Sequence, residues 1–288
     1  MPKPFSLPVF LARTAIIYGL LLAGMYYLLP GVWEQQVRAG WIAKLVSFVV
    51  ASIVNAFFVW PFHRWLLHGV PFRCLRWLAN DHRGHHAVTE IKLRPSDDGV
   101  GRVILNEYPI VEKHQHAHSA FPCYALPVFW VVFSPAILLG LWIFSTSPLL
   151  LTWLSAITLS LIGYETFHAA YHFPYEWWEP KVNHRYFGWF WRPVYGFHMF
   201  HHANIRANEG VFDPFGLFFL VDWLMKTLVI PKKLLLHNRV ATAEEFKAPK
   251  PWGFISWIDR WVEKREREIM RNDTPAPPVA HPIPQGVS

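Results

Sequence analysis

Four long apolar runs decide most of what this chain can be. Residues 9–29 (VFLARTAIIYGLLLAGMYYLL), 41–60 (WIAKLVSFVVASIVNAFFVW), 121–144 (FPCYALPVFWVVFSPAILLGLWIF) and 148–164 (PLLLTWLSAITLSLIGY) are each close to the ~20 residues that a hydrocarbon core demands. No water pairs with backbone N–H and C=O groups inside a bilayer, so such runs must close their hydrogen bonds within a helix. The first run holds one charge, Arg13. The second holds one, Lys44, near an end where its stem can snorkel, and the third and fourth hold none. No small-residue cleavage site follows the first run, which reads as an anchor and not a signal peptide.

The connections sort by charge. Residues 61–120 carry eight Lys/Arg and the chain after 164 carries many more, whereas the link between the third and fourth runs, STS, is uncharged. Positive residues stay cytoplasmic, so four spans put both termini, residues 61–120 and everything after 164 in the cytoplasm. The fold class expected is all-α: a polytopic membrane protein with four transmembrane helices and a cytosolic, histidine-rich helical cap. Four regions are expected: an anchor helix and loop (1–40), a membrane catalytic domain (41–230), a cytosolic amphipathic region (231–272) and a disordered Pro-rich tail (273–288). Within them, 211–230 reads as a membrane-surface or re-entrant segment, since Asp213, Pro214, Gly216 and Asp222 interrupt it. Residues 253–271 read as an amphipathic helix with Phe254, Trp257, Ile258, Trp261 and Val262 near one face. The net charge of +7 comes with no nucleic-acid motif and suits anionic headgroups. Cys74 and Cys123 read as ordinary thiols.

Ten of the 16 histidines fall in four clusters: His63 and His68 in HRWLLH; His82, His85 and His86 in DHRGHH; His168 and His172 in HAAYH; His198, His201 and His202 in FHMFHH. On a helix, positions i, i+3 and i+4 share one stripe. Each H-x-x-H-H therefore presents three imidazoles together, and His168 and His172 also share a face. His63 and His68, at i and i+5, need a π-bulge or a helix end. The first and third clusters follow the second and fourth spans, so all ten rings can converge in one layer at the membrane surface. Neutral imidazole is the commonest protein ligand for transition metals. Ten rings are too many for one ion and suit two. Glu165, Asp81 and Asp222 are candidates to accept an imidazole N–H and fix its tautomer. His114, His116 and His118 (HQHAH) read as a surface loop or an accessory metal site, and His184 as a further candidate near an aromatic stretch. Trp177, Trp178, Trp189 and Trp191 read as interfacial anchors, with a place along a lipid path as the alternative.

The four boxes in this order resemble the fatty acid hydroxylase/sterol desaturase superfamily of integral-membrane di-metal enzymes. The likeness runs over roughly 41–227 and ends at VDWLMKT (221–227), similar to that family's W-D-x-L-F-G-T close. The resemblance implies that the ten histidines ligate two iron ions, with zinc as the alternative in purified protein. It implies O2-dependent attack on an unactivated C–H bond of a membrane lipid. With no fused haem domain, electrons would come from a separate donor of cytochrome b5 or ferredoxin type. The first box, H-x4-H, matches the hydroxylases of fatty acids and carotenes; sterol desaturases usually show H-x3-H. Phe197, Val221 and Lys226 depart from the family pattern. Desaturation on the same scaffold is the nearest alternative. A metal transporter would need ligands at mid-membrane, a membrane cytochrome b would need His inside the spans, and a zinc hydrolase would ordinarily show H-E-x-x-H, which is absent.

Overall fold

The computed structural model describes residues 5–116, 119–122, 124–210 and 217–273. His118, Cys123, the 211–216 part of the interrupted apolar segment, and the Pro-rich tail from 274 on lie outside the described residues. The elements, in chain order, begin with α1 (Leu7–Leu28), α2 (Pro30–Arg38), α3 (Trp41–Phe62), α4 (Arg76–Val88), β1 (Ile91–Pro95) and β2 (Arg102–Asn106). They continue with α5 (Ala125–Ile143), α6 (Leu149–Tyr171), α7 (Tyr175–Val182), α8 (Gly188–Ala203), α9 (Leu217–Met225) and α10 (Gly253–Asp273).

α1, α3, α5 and α6 are long and apolar enough to cross a membrane. Their outer faces expose Ile16, Leu20, Val46, Val50, Leu138 and Trp142, which suits lipid and not water. The central span is α6: half of its most apolar stretch is buried inside the protein, against 6% for α1. Its main neighbour is α3, and the two run in the same direction along a seam of small and polar residues. Ser47 Oγ pairs with Thr152 Oγ1 at 2.6 Å, and Asn55 Nδ2 donates to Ser160 Oγ at 2.7 Å, both across an offset of 105 residues. Ala51 and Ala156 are buried between these rungs. With no hydrophobic force between helices in lipid, small residues and polar pairs of this kind hold spans together. The same offset, carried two turns further, sets His63 beside His168. At the opposite end, α2 closes the bundle: Gln35 donates to the Ser145 carbonyl, and Gln36 donates to the Ser147 carbonyl at 3.3 Å.

Two expectations need correction. The 30–40 connection is a helix, α2, and not a loop. The chain is mostly helical but not all-α, because β1 and β2 pair antiparallel, Ile91 opposite Asn106 through Pro95 opposite Arg102. Gly99 and Gly101 take positive φ in the turn between them, where a side chain would be strained. Ile91 and Ile104 are buried and join Tyr108, Tyr171, Trp178, Tyr195 and Phe200 in the cap's core. α10 is the amphipathic helix expected over 253–271. Its inward residues are Ile255, Asp259, Val262 and Ile269, while Phe254, Trp257 and Trp261 are exposed. Amphipathicity placed the aromatics together correctly but did not tell which face would pack. α9, at nine residues, is too short to cross a bilayer. It packs Val221 against Trp60 of α3 and Ile255 of α10.

Candidate metal centre

α3 does not stop at Phe62. It widens into a π-helical turn over His63–Leu67, in which the His68 N–H bonds the His63 carbonyl at 3.1 Å. That one wide turn brings residues five apart onto a common face, and the two rings sit 4.9 Å apart. DHRGHH lies on α4 and FHMFHH on α8, each a regular helix, and HAAYH ends α6 with His172 as its C-cap.

All ten rings meet at one end of the bundle. His63, His68, His82 and His201 form one group. His85, His168, His172 and His202 form a second, and within each group one ligand atom per residue lies within 4.8 Å of all the others. His86 stands between the groups, and His198 stands against the second. The His86 ring stacks on His202 at 4.1 Å, and its Nε2 is 3.2 Å from His82 Nε2; His198 Nε2 is 3.2 Å from His202 Nε2. Each H-x-x-H-H stripe thus divides between groups: His82 goes to the first and His85 to the second, and likewise His201 and His202.

The ring nitrogens carry the test of fit. His63 and His82 face each other Nε2 to Nε2 at 3.0 Å, His68 and His201 at 3.0 Å, and His85 and His172 at 3.1 Å. Two ligands ~2.1 Å from one ion and at right angles stand ~3.0 Å apart. The opposite nitrogens are held from behind. His172 Nδ1 donates to the Tyr108 carbonyl at 2.7 Å, His201 Nδ1 to Ala207 at 2.8 Å and His202 Nδ1 to Thr89 at 3.1 Å. A proton fixed on Nδ1 leaves the Nε2 lone pair pointing inward. His168 Nε2 is buried with no hydrogen-bond partner. Burial, reinforced by the neighbouring imidazoles, holds His68, His82, His85, His86, His198 and His202 well below the ordinary histidine range. Burial also takes His172 and His201 down to about 4. Neutral, deprotonated, convergent nitrogens are what a transition metal requires. The donor set therefore fits metal ions.

A carboxylate that is none of the three anticipated stands directly against a ring of the first group. Glu209, fully buried in the segment after α8, accepts from His63 Nδ1 at 3.0 Å and from Arg64 Nη1 at 2.8 Å. Arg64 continues to Asp259 of α10 through Nε at 2.9 Å and Nη2 at 2.8 Å. Desolvation pushes the Glu209 carboxyl up to about 7, and Arg64 draws it back. Asp222 acts one step further out: its carboxylate accepts the backbone N–H of Glu209 at 3.0 Å and of Gly210 at 2.6 Å. Trp60 and Thr227 also donate to it. Glu165 accepts the Phe121 N–H at 3.2 Å. Asp81 lines the cavity described next. Glu209 has no spacing relation to any box, so nothing in the sequence marked it.

An apolar cavity of about 300 Å³ runs from these rings between α3, α5 and α6. His82, His85 and His168 close one end, and Phe58, Phe62, Val128, Phe129 and Val132 line the rest. Val128 and Val132 are also exposed on the outer surface of α5, so the cavity borders the lipid-facing side. None of Trp177, Trp178, Trp189 and Trp191 lines it. Trp178 is core, packed between Tyr171 and Tyr195. His114 is exposed beside Glu112 at 3.1 Å, His116 ends a short 3₁₀ turn, and exposed His184 accepts the backbone N–H groups of Tyr186 and Phe187. No family model, curated protein or solved structure matches the chain.

Proposed function

We propose that the chain is a membrane-bound, O2-dependent di-iron oxygenase that hydroxylates an aliphatic C–H bond of a lipid. The observation that carries the reading is the junction of two four-histidine groups with an apolar cavity that borders the lipid-facing surface. When bound, two irons would supply the two-electron activation of O2 that no side chain can perform, giving RH + O2 + 2e⁻ + 2H⁺ → ROH + H2O. His63, His68, His82 and His201 would hold one ion, and His85, His168, His172 and His202 the other, with His86 completing either and His198 the second.

The chain's own contribution is placement and exclusion. Phe58, Phe62 and Phe129 orient an alkyl chain toward His82, His85 and His168 without extracting it from the bilayer, and they keep water out. Carbonyls of Tyr108, Ala207 and Thr89, and the Glu209 carboxylate, fix ring tautomers before any substrate enters. The basic, histidine-bearing end faces the cytoplasm in this reading, where a separate electron donor would dock. Comparative lipid mass spectrometry of cells with and without the protein under 18O2 tests it. The expected product has gained one labelled oxygen atom. A lipid lighter by two hydrogens assigns desaturation instead, and no change in any lipid defeats the reading.

A further inference from the structure

Arg13 is the only charged residue of α1, six residues or ~9 Å beyond Leu7 along the helix. Among the described residues it makes no ion pair and no hydrogen bond. A charge inside a membrane span is costly unless it meets a partner. Arg13 lines a second cavity, of about 530 Å³, between α1, α5 and α6 at the histidine end of the bundle. Phe10, Ile17, Leu126 and Leu161 give that cavity apolar walls, and His116 adds a ring nitrogen. Glu165 is its one carboxylate, 2% exposed and engaged with the Phe121 N–H. Nothing exposed in the cavity therefore faces a headgroup ammonium.

We propose that this cavity is a binding site for an anionic phospholipid, whose phosphate pairs with Arg13. The guanidinium fork matches two phosphate oxygens, its depth is that of the boundary between headgroup and acyl chain, and the apolar walls receive the upper part of a chain. A zwitterionic head finds no exposed carboxylate among the described lining residues to pair its ammonium, and its own ammonium offsets the phosphate charge that Arg13 meets. The inference is independent of the oxygenase chemistry, since no group of the metal centre is needed for binding.

Thermal unfolding of the full chain in detergent, with added phosphatidylglycerol, phosphatidylcholine or inorganic phosphate, tests it. Phosphatidylglycerol at a hundredfold its wild-type dissociation constant is expected to raise the midpoint by about 5 °C in the wild type, by less in Arg13→Lys, which keeps the charge without the fork, and not in Arg13→Gln. An unchanged shift in Arg13→Gln overturns the site. An equal shift from phosphatidylcholine overturns the selectivity, and an equal shift from inorganic phosphate overturns the lipid assignment. Should Arg13→Gln fail to fold, native mass spectrometry of the wild type from an equimolar lipid mixture decides. One retained phosphatidylglycerol per chain supports the site, and none retained overturns it.

Discussion

The two histidine groups are alike in their ligands and differ in what stands behind them. Behind the first is a chain of charges: His63 to Glu209, Glu209 to Arg64, Arg64 to Asp259. Arg83 adds a second tie, donating to the His68 carbonyl at 2.6 Å while paired with Glu266. A third, Arg206 to Glu263, anchors the segment just after His202. Asp259, Glu263 and Glu266 lie at i, i+4 and i+7 on α10, so one helix face clamps three segments. Behind the second group are main-chain carbonyls of Tyr108 and Thr89, without a formal charge. A buried ionic support fails badly when one member is removed, because the survivor is left charged and unpaired. A carbonyl support cannot be removed by substitution at all.

The largest effect that would break this symmetry of ligands is loss of a ring. His82→Ala, in the first group, and His85→Ala, in the second, should each lower product formation by more than about a hundredfold while the protein still inserts in the membrane. Full activity in both would refute the ligand assignment. Next comes the ionic support. Arg64→Leu should cost about 3–5 kcal/mol by stranding Glu209 and Asp259, seen as a lower unfolding midpoint. It should also weaken metal binding about 10–100-fold in the first group alone, so that metal analysis is expected to find one ion retained per chain in the variant and two in the wild type. Glu209→Gln should recover part of what Glu209→Ala loses, because the amide oxygen still accepts from His63.

Acidification sharpens the contrast. His172 and His201 titrate near 4 in the fold and near 6.5 when unfolded. Their contribution is whole above about 6.5 and is lost as the pH falls to about 4. Glu209 shifts the other way: its carboxyl is raised from 4.5 to about 7, so its burial becomes less costly as the pH falls through that window. Chain stripped of metal should therefore open first around the second group, at the end of α6, on going from pH 7 to pH 4.5. Hydrogen exchange resolved by segment would show this, and equal protection of both groups throughout would contradict it. The smallest effect belongs to Thr89→Val, expected below about 1 kcal/mol. It removes a hydroxyl 3.0 Å from His202 Nδ1 and leaves the Thr89 carbonyl accepting from the same atom.

Local geometry made part of the site legible. The five-residue spacing of His63 and His68 demanded a π turn or a helix end, and a π turn is present. The H-x-x-H-H spacing demanded regular helices, and α4 and α8 are regular. Arg64 and Glu209 were not legible, since an arginine between two histidines and a glutamate seven residues past a box look like any charged residue. Asp259, Glu263 and Glu266 become a clamp only because α10 lies across Arg64, Arg83 and Arg206. The β1–β2 hairpin was missed because its short apolar alternations lie within a segment otherwise read from its histidines.

By itself, the sequence determined four helices long and apolar enough to cross a membrane and ten imidazoles placed to meet at one end of them. Both follow from run length and periodicity, which are properties of neighbours along the chain. Only the tertiary structure decided that His82 and His85, three residues apart, belong to different groups, and that a C-terminal helix holds His63 through two buried charges. Those outcomes depend on how helices distant in sequence pack, and the α3–α6 seam of Ser47, Asn55, Thr152 and Ser160 sets that register by contacts no local pattern encodes.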